Sequence, residues 1–439
     1  MKKVVSKLKS VVAVMLAVAM LMAVPSYNAN AIVTSAGAIA KGIDVSRYQG
    51  TINWAQVANS GIKFAFIRIG NTYGGLDPTF EYNIQQAQAN GIQVGVYLYS
   101  YATTVEAATI EAQLTIAWLG AHGLQLPVVY DVEDKCHSTM STPDLYNMIN
   151  TYCMIIDAAG YYPMVYTYKN FYHTKLGTTP WDKWMAQYSD SLNTPESVAF
   201  WQYTSSGSVP GISGRVDMDY QYKSYKDLII NEGFLAHNGG TRFYSNYKMQ
   251  LGWIDYQNKK YHADALGYLA KGWYLDPDGG MYFFDMETGE ELFGIVEVSG
   301  FKFFFDPESG RQTTGFADTS IGRRYFDPAL NGAMATSWFA YNGEMHYSNS
   351  EGVPQTGFVT IDGADYFFNE NGALVMNDTI TVGTKTYTAA ANGVLTEVIP
   401  IDLTNLDLTR IDPTTGLYND PVTGLWINPY TGEVVNKTE

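Results

Sequence analysis

The sequence predicts an α/β chain: an irregular β/α barrel of eight strands with a reduced helix count, followed by an all-β hairpin-repeat solenoid. Three observations predict it. Short apolar runs alternate with amphipathic stretches from Lys41 to about Leu228. Past Phe234–Gly240 the helical periodicity stops, and a glycine–aromatic pattern recurs about every 21 residues. Within the first of these regions, the apolar run Leu126–Tyr130 leads into three carboxylates, Asp131, Glu133 and Asp134.

At 439 residues the chain is too long for one ordinary domain. It opens with Lys2, Lys3, Lys7 and Lys9, an apolar stretch from Val11 to Val24, and the small-residue cleavage pattern Ala29-Asn30-Ala31. Residues 1–31 therefore read as a secretory signal peptide with the mature chain starting at Ile32, rather than as a retained anchor. No later segment is apolar for long enough to span a bilayer. Losing the four leader lysines moves the formal charge from −16 to about −20. Such an acidic exported chain is a poor partner for nucleic acid, and docking on an anionic surface must use something other than bulk charge. Cys136 and Cys153 are the only cysteines; they could bridge or remain two thiols. The six histidines are scattered, so neither a metal site nor a cofactor is expected.

In chain order, the strand candidates are Gly42–Ser46, Lys63–Gly70, Gln93–Tyr101, Pro127–Glu133, Met164–Tyr168, Lys183–Tyr188, Ala199–Tyr203 and Val216–Tyr220. Helices are expected over Trp54–Ser60, Thr79–Asn90, Val105–Gly120 and Thr142–Ala159. After Tyr168 the connections shorten, with Pro180, Pro195 and Pro210 as breakers. Strand–helix alternation implies a parallel sheet, and eight strands imply its closure.

Strand side chains alternate, so Asp131 and Glu133 share a face. Alone, Asp-x-Glu is equally an acidic turn at a strand end. Asp44 near the end of the first strand and Asp217 on the last strengthen the catalytic reading, because barrel closure makes those strands neighbours. Crowded carboxylates cannot all ionise, and a protonated acid beside an ionised one is the equipment for cleaving a glycosidic bond. Tyr97, Tyr99, Tyr166, Trp184, Tyr188 and Trp201 sit near strand ends and suit sugar faces, although barrel packing explains any one of them as well.

Asp44-Val45-Ser46 with Gln49-Gly50, Asp131-Val132-Glu133, Trp184-Met185-Ala186-Gln187-Tyr188, Trp201-Gln202-Tyr203 and Val216-Asp217 together resemble family 25 of the glycoside hydrolases, the lysozymes called muramidases. The resemblance runs from Lys41 to Tyr222 with the motifs in the family's order. It implies an irregular β/α barrel cutting the β-1,4 bond between N-acetylmuramic acid and N-acetylglucosamine in peptidoglycan. By position, Glu133 resembles the general acid and Asp131 the carboxylate beside it; Asp44 and Asp217 resemble the supporting acids. Asp219 stands where the family often has Asn and reads as structural. Asp131 is near Glu133 for an opposed nucleophile, which favours attack by the substrate's own acetamido oxygen; spacing leaves the anomeric outcome open.

The expected domains are a catalytic barrel over 41–233, wall-binding hairpin repeats over 240–379 and a turn-rich tail over 380–439. The repeats carry Leu251-Gly252-Trp253, Lys271-Gly272-Trp273, Phe293-Gly294-Ile295, Thr314-Gly315-Phe316, Thr336-Ser337-Trp338 and Thr356-Gly357-Phe358. They resemble cell-wall-binding repeats, including the choline-binding type, and Trp253, Trp273 and Trp338 are the candidate wall-ligand residues. Ile295, Phe316 and Phe358 replace the familiar Trp, a departure that bears on choline as the ligand. Asp276-Pro277-Asp278-Gly279-Gly280 lacks the other ligands of a calcium loop and reads as a turn. The tail echoes Asp412-Pro413-Thr414-Thr415-Gly416, Asp420-Pro421-Val422-Thr423-Gly424 and Asn428-Pro429-Tyr430-Thr431-Gly432 read as turns between brief strands. The rival functions are a non-catalytic wall-binding or adhesive protein, and another hexosaminidase of the chitinase kind.

Overall fold

The computed structural model of the chain describes residues 31–399, 403, 404 and 406–435; the leader, save its last residue, lies outside the described residues. The chain divides into two compact units, 1–270 and 271–439.

In the first unit eight strands close into a barrel: β1 (Ala40–Val45), β2 (Phe64–Asn71), β3 (Gln93–Tyr99), β4 (Val128–Asp131), β5 (Pro163–Tyr168), β6 (Asp182–Ala186), β7 (Phe200–Gly207) and β8 (Val216–Gln221). Neighbours pair in that order and β8 returns to β1. The pairs from β1 through β7 are parallel, whereas β8 runs antiparallel to both its neighbours. The short link between Gly207 and Val216 explains the reversal: it has room for a turn but not for a helical crossover.

Four helices cover the outside: α1 (Trp54–Asn59), α2 (Phe80–Ala89), α3 (Val105–Leu119) and α4 (Thr142–Ala158). Side chains of Asn53, Thr104 and Ser141 cap α1, α3 and α4 by accepting from backbone N–H groups of the first turn. Between β5 and β6 only the short helical turns Lys169–Phe171 and Tyr172–Leu176 remain, which is the expected thinning.

Alternation sorts the strand residues. Ile43, Val45, Val128, Tyr130, Val132, Val165 and Met185 pack outward in the cluster that includes the helices. Phe64, Phe66, Val129, Met164, Tyr166, Trp184 and Phe200 fill the barrel interior. Gly42 is required there, because a Cβ would stand 2.4 Å from the Phe64 ring. Both cysteines are free, Cys153 buried and Cys136 half-buried.

The first unit ends in hairpins Glu232–His237/Gly240–Ser245 and Gly252–Tyr256/Lys259–Ala263. Arg242 donates to the Asp157 carbonyl (3.0 Å), and His237 Nε2 lies 3.0 Å from the Asp157 carboxylate, fixing the first hairpin to the end of α4.

The second unit is a series of antiparallel hairpins joined by tight turns. Asn342-Gly343, with φ of 52° and 82°, supplies one such turn. The repeat has a physical basis: Phe284, Phe305, Phe326 and Phe368 are each fully buried, and each faces a glycine across the ladder (Gly272, Gly294, Gly315 and Gly357). Those glycines also have positive φ, a conformation that disfavours a side chain. The hairpin Trp338–Tyr341/Glu344–Tyr347 keeps this register with a pair of serines in place of glycine and phenylalanine: the Ser348 N–H donates to the Ser337 carbonyl (3.1 Å), and Ser348 is buried. Trp338 then faces Tyr347 as Trp273 faces Phe283 and Phe316 faces Tyr325. In the tail, Asp412, Asp420 and Asn428 each accept two backbone N–H bonds from the next residues, and Tyr418–Asn419 pairs with Trp426–Ile427.

Candidate active site

The parallel strands bring their carboxyl ends to one mouth, and the reversal of β8 brings its amino end to the same place. Asp44 and Asp217 are direct ladder partners. Asp131 ends β4 on the inner face beyond Val129, and Glu133 lies just past the strand on the following segment. Asp44 is 5 % and Asp131 4 % exposed, while Glu133 is half-buried. Four acids from three separated stretches therefore crowd one site.

Their titration follows from burial. Glu133 is pushed up to about 7, first by desolvation and then by the Asp217 charge, with hydrogen bonds from Tyr166 and Tyr168 opposing. Desolvation raises Asp217 to about 6. Asp131 lies well above the ordinary carboxylate range because it is buried and beside Glu133; the Arg68 guanidinium pulls the other way. Burial, with the charges of Asp219 and Asp217, raises Asp44 too. Asp131 Oδ1 and Glu133 Oε2 are buried with no hydrogen-bond partner among the described residues.

The aromatic candidates separate into three groups. Tyr166 and Trp184 form the floor, with ring centroids 4.6 Å apart; Tyr97 edges onto Trp184 at 6.2 Å. The Trp184 indole donates to buried Asp219 (2.8 Å), which gives Asp219 a structural partner. Tyr99 and half-exposed Tyr188 flank the opening: Tyr99 donates to Asp134 (3.3 Å) and Tyr188 to Gln202 (3.2 Å). Trp201 does not join them, which corrects its place among the sugar-facing rings. Its side chain packs in the outer cluster, 1 % exposed, and its indole donates to the Gln187 carbonyl. The reason is alternation on β7, which turns Gln202 inward and Trp201 outward.

Gln202, which the sequence shows only as part of the Trp201-Gln202-Tyr203 motif and without a role of its own, joins the acids to the tyrosines. Its Nε2 donates to Asp44 Oδ2 (2.7 Å), and its Oε1 accepts from the hydroxyls of Tyr166 (2.9 Å) and Tyr188. Arg68 was missed as well; it is buried at the mouth and held by Asp77 (2.6 Å). Period-two counting from Trp201 and from Phe66 was the available signal. No group of three or more potential metal ligands occurs among the described residues.

Among the wall-ligand candidates, Trp253 and Trp273 are 43 % and 42 % exposed. Trp253 meets His262 edge-on at 5.2 Å. Trp273 is bounded by Phe283, Phe303 and Phe305, and Trp338 by Tyr347, Tyr366 and Phe368, with centroids 4.9 to 5.7 Å away.

Comparison with known proteins agrees with this arrangement. The family model described as glycosyl hydrolases family 25 matches residues 43–212, and that for a putative cell wall binding repeat matches 356–374. The uncharacterized protein YegX of Escherichia coli K12 is 33 % identical over 190 residues, 40 % of this chain and 68 % of that protein. The autolytic lysozyme of Clostridium acetobutylicum is 31 % identical over 206 residues, 46 % of this chain and 58 % of that one. A crystal structure of the bacterial lysozyme from Streptomyces coelicolor aligns at 28 % identity and a TM-score of 0.39, covering 42 % of this chain and 93 % of that one. With the barrel, the pooled carboxylates, the family models and the sequence relatives in hand, the chain belongs to family 25 of the glycosyl hydrolases and is a glycoside hydrolase bearing repeats of the cell-wall-binding kind.

Proposed function

We propose that the chain is an exported lysozyme that hydrolyses the β-1,4 bond between N-acetylmuramic acid and N-acetylglucosamine in peptidoglycan. The barrel of 41–233 does the chemistry, and the aromatic repeats of 240–379 hold it on the wall. One observation carries the reading: Glu133, raised to about 7 by burial and by the neighbouring Asp217, is a carboxyl able to keep its proton near neutrality.

In this reading Glu133 gives its proton to the glycosidic oxygen as the C1–O bond breaks. Asp131, on the same segment, is too near Glu133 to attack from the opposite face. The acetamido oxygen of the muramic acid residue attacks C1 instead, and Asp131 orients and steadies that group as charge develops. Glu133, now ionised, takes a proton from the incoming water. Gln202 holds Asp44 in place, and Asp44 with Asp217 sets the negative field of the pocket. Tyr97, Tyr99, Tyr166, Trp184 and Tyr188 offer faces and hydroxyls to the sugars.

The repeats suit a cationic group on a wall polymer, such as the quaternary ammonium of choline. Clusters of rings around Trp273 and Trp338 attract cations through the ring quadrupole, and several weak sites in series add by avidity.

Digestion of purified peptidoglycan, with identification of the sugar at each new reducing end, tests the assignment. Muramic acid there supports it. Glucosamine would make the enzyme a glucosaminidase, and no release at all would leave a wall-binding protein. Sequencing the amino terminus of protein recovered from the medium and wall fraction tests export, with Ile32 as the expected first residue.

A further inference from the structure

Unit 2 contains a third ring cluster, which differs from those of Trp273 and Trp338 in one respect. The Phe316 ring is surrounded by Tyr325 (4.9 Å), Tyr341 (5.0 Å), Phe339 (6.1 Å) and His346 (6.3 Å). The guanidinium carbon of Arg323 lies 4.7 Å from its centroid. Among the described residues no arginine or lysine stands over Trp273 or Trp338.

Arg323 reaches this position through the hairpin itself. Gly322, at φ 92°, ends the turn, and Arg323 then faces Asp318 across the ladder, diagonal to Phe316. The next residue points the other way, as strand alternation requires: Arg324 is buried and donates to the Glu351 and Arg323 carbonyls. The two adjacent arginines therefore have different tasks. Arg324 satisfies backbone acceptors, whereas exposed Arg323 makes no side-chain hydrogen bond among the described residues and lies over a ring.

We propose that Arg323 is the resident cation of the Phe316 cage and keeps it closed to external organic cations, so that ligand is confined to the cages that lack a cation of their own. The inference rests on the reading above that the repeats take a cationic group. Its physical basis is effective concentration. A guanidinium tethered on the same hairpin is presented to the ring at far higher concentration than a weakly bound free ligand, and it occupies the same face. Specificity in the array is then set by which hairpins carry their own guest as well as by which rings they carry.

Equilibrium dialysis of the full chain against radiolabelled choline, taken to saturation, tests this. Arg323→Gln should bind one more choline per chain than wild type, and Arg323→Lys, which keeps a cation over the ring, should bind no more than wild type. If wild type binds choline and Arg323→Gln gains no site, the resident-cation inference is wrong while the choline reading stands. A gain in Arg323→Gln with none bound by wild type would support the inference and remove choline from the Trp273 and Trp338 cages. No binding by either protein would sink both.

Discussion

The barrel mouth and the hairpin array both gather like residues, yet they do so in opposite ways. At the mouth, Asp44, Asp131, Glu133 and Asp217 come from positions up to 173 residues apart and meet only because β8 closes on β1. In the array, Trp273, Phe283, Phe303 and Phe305 come from adjacent hairpins, and Trp273 stays 42 % exposed beside the buried Phe283 and Phe305. Long-range closure gives the burial that raises a carboxyl to about 7; local repetition leaves an indole open to solvent. In the function proposed above, chemistry belongs to the first arrangement and repeated weak attachment to the second.

The largest effect expected is at Glu133. Glu133→Gln should fold and lose about 10²–10⁴-fold in turnover on purified peptidoglycan, while sedimenting with walls like wild type. Loss of wall retention in that variant would break the division of labour.

Next comes Gln202→Leu, which removes the donor to Asp44 and the acceptor for Tyr166 and Tyr188. A loss of about 10–100-fold in turnover is expected, roughly 1.5–3 kcal/mol for a hydrogen bond to a charged group. Steady-state kinetics on solubilised glycan measures it.

The pH dependence sharpens the same contrast. Activity should fall as pH rises through about 7, where Glu133 gives up its proton. Stability has the same sign. Glu133 binds its proton more tightly folded than unfolded, where a glutamate titrates at about 4.5, so its contribution is complete below about 4.5 and is lost as pH rises through about 7. Melting curves between those limits should flatten in Glu133→Gln and remain unchanged in Trp273→Ala.

Trp273→Ala should weaken retention on walls several-fold and leave hydrolysis of soluble fragments intact, because one cage among several is lost. The smallest catalytic effect belongs to Trp201→Phe. It should lower the melting temperature through the lost bond to the Gln187 carbonyl without changing KM, since that ring faces the helices. A raised KM would return Trp201 to the substrate.

The alternating pattern made all eight strands and four helices readable, and closure alone predicted that Asp44 and Asp217 would be neighbours. What escaped depended on side-chain direction. Trp201 drew attention as a large ring near a strand end, while the polar residue beside it, Gln202, holds the pocket together. Glu133 lies two residues past the end of β4, where alternation no longer guarantees its face. In the repeats, by contrast, spacing sufficed: Trp338 faces Tyr347 as Trp273 faces Phe283, one rung inside the Ser337 or Gly272 position.

The reversed closing strand also decides where the polypeptide leaves the enzyme. Had β8 been parallel to its neighbours, its last residue would have emerged beside the carboxylates, and whatever followed would have crowded the entrance. Running the other way, it delivers the chain to the opposite pole, where the first hairpin is pinned to the end of α4 by Arg242 and His237. The exit thus lies at the pole of the barrel away from the carboxylate mouth.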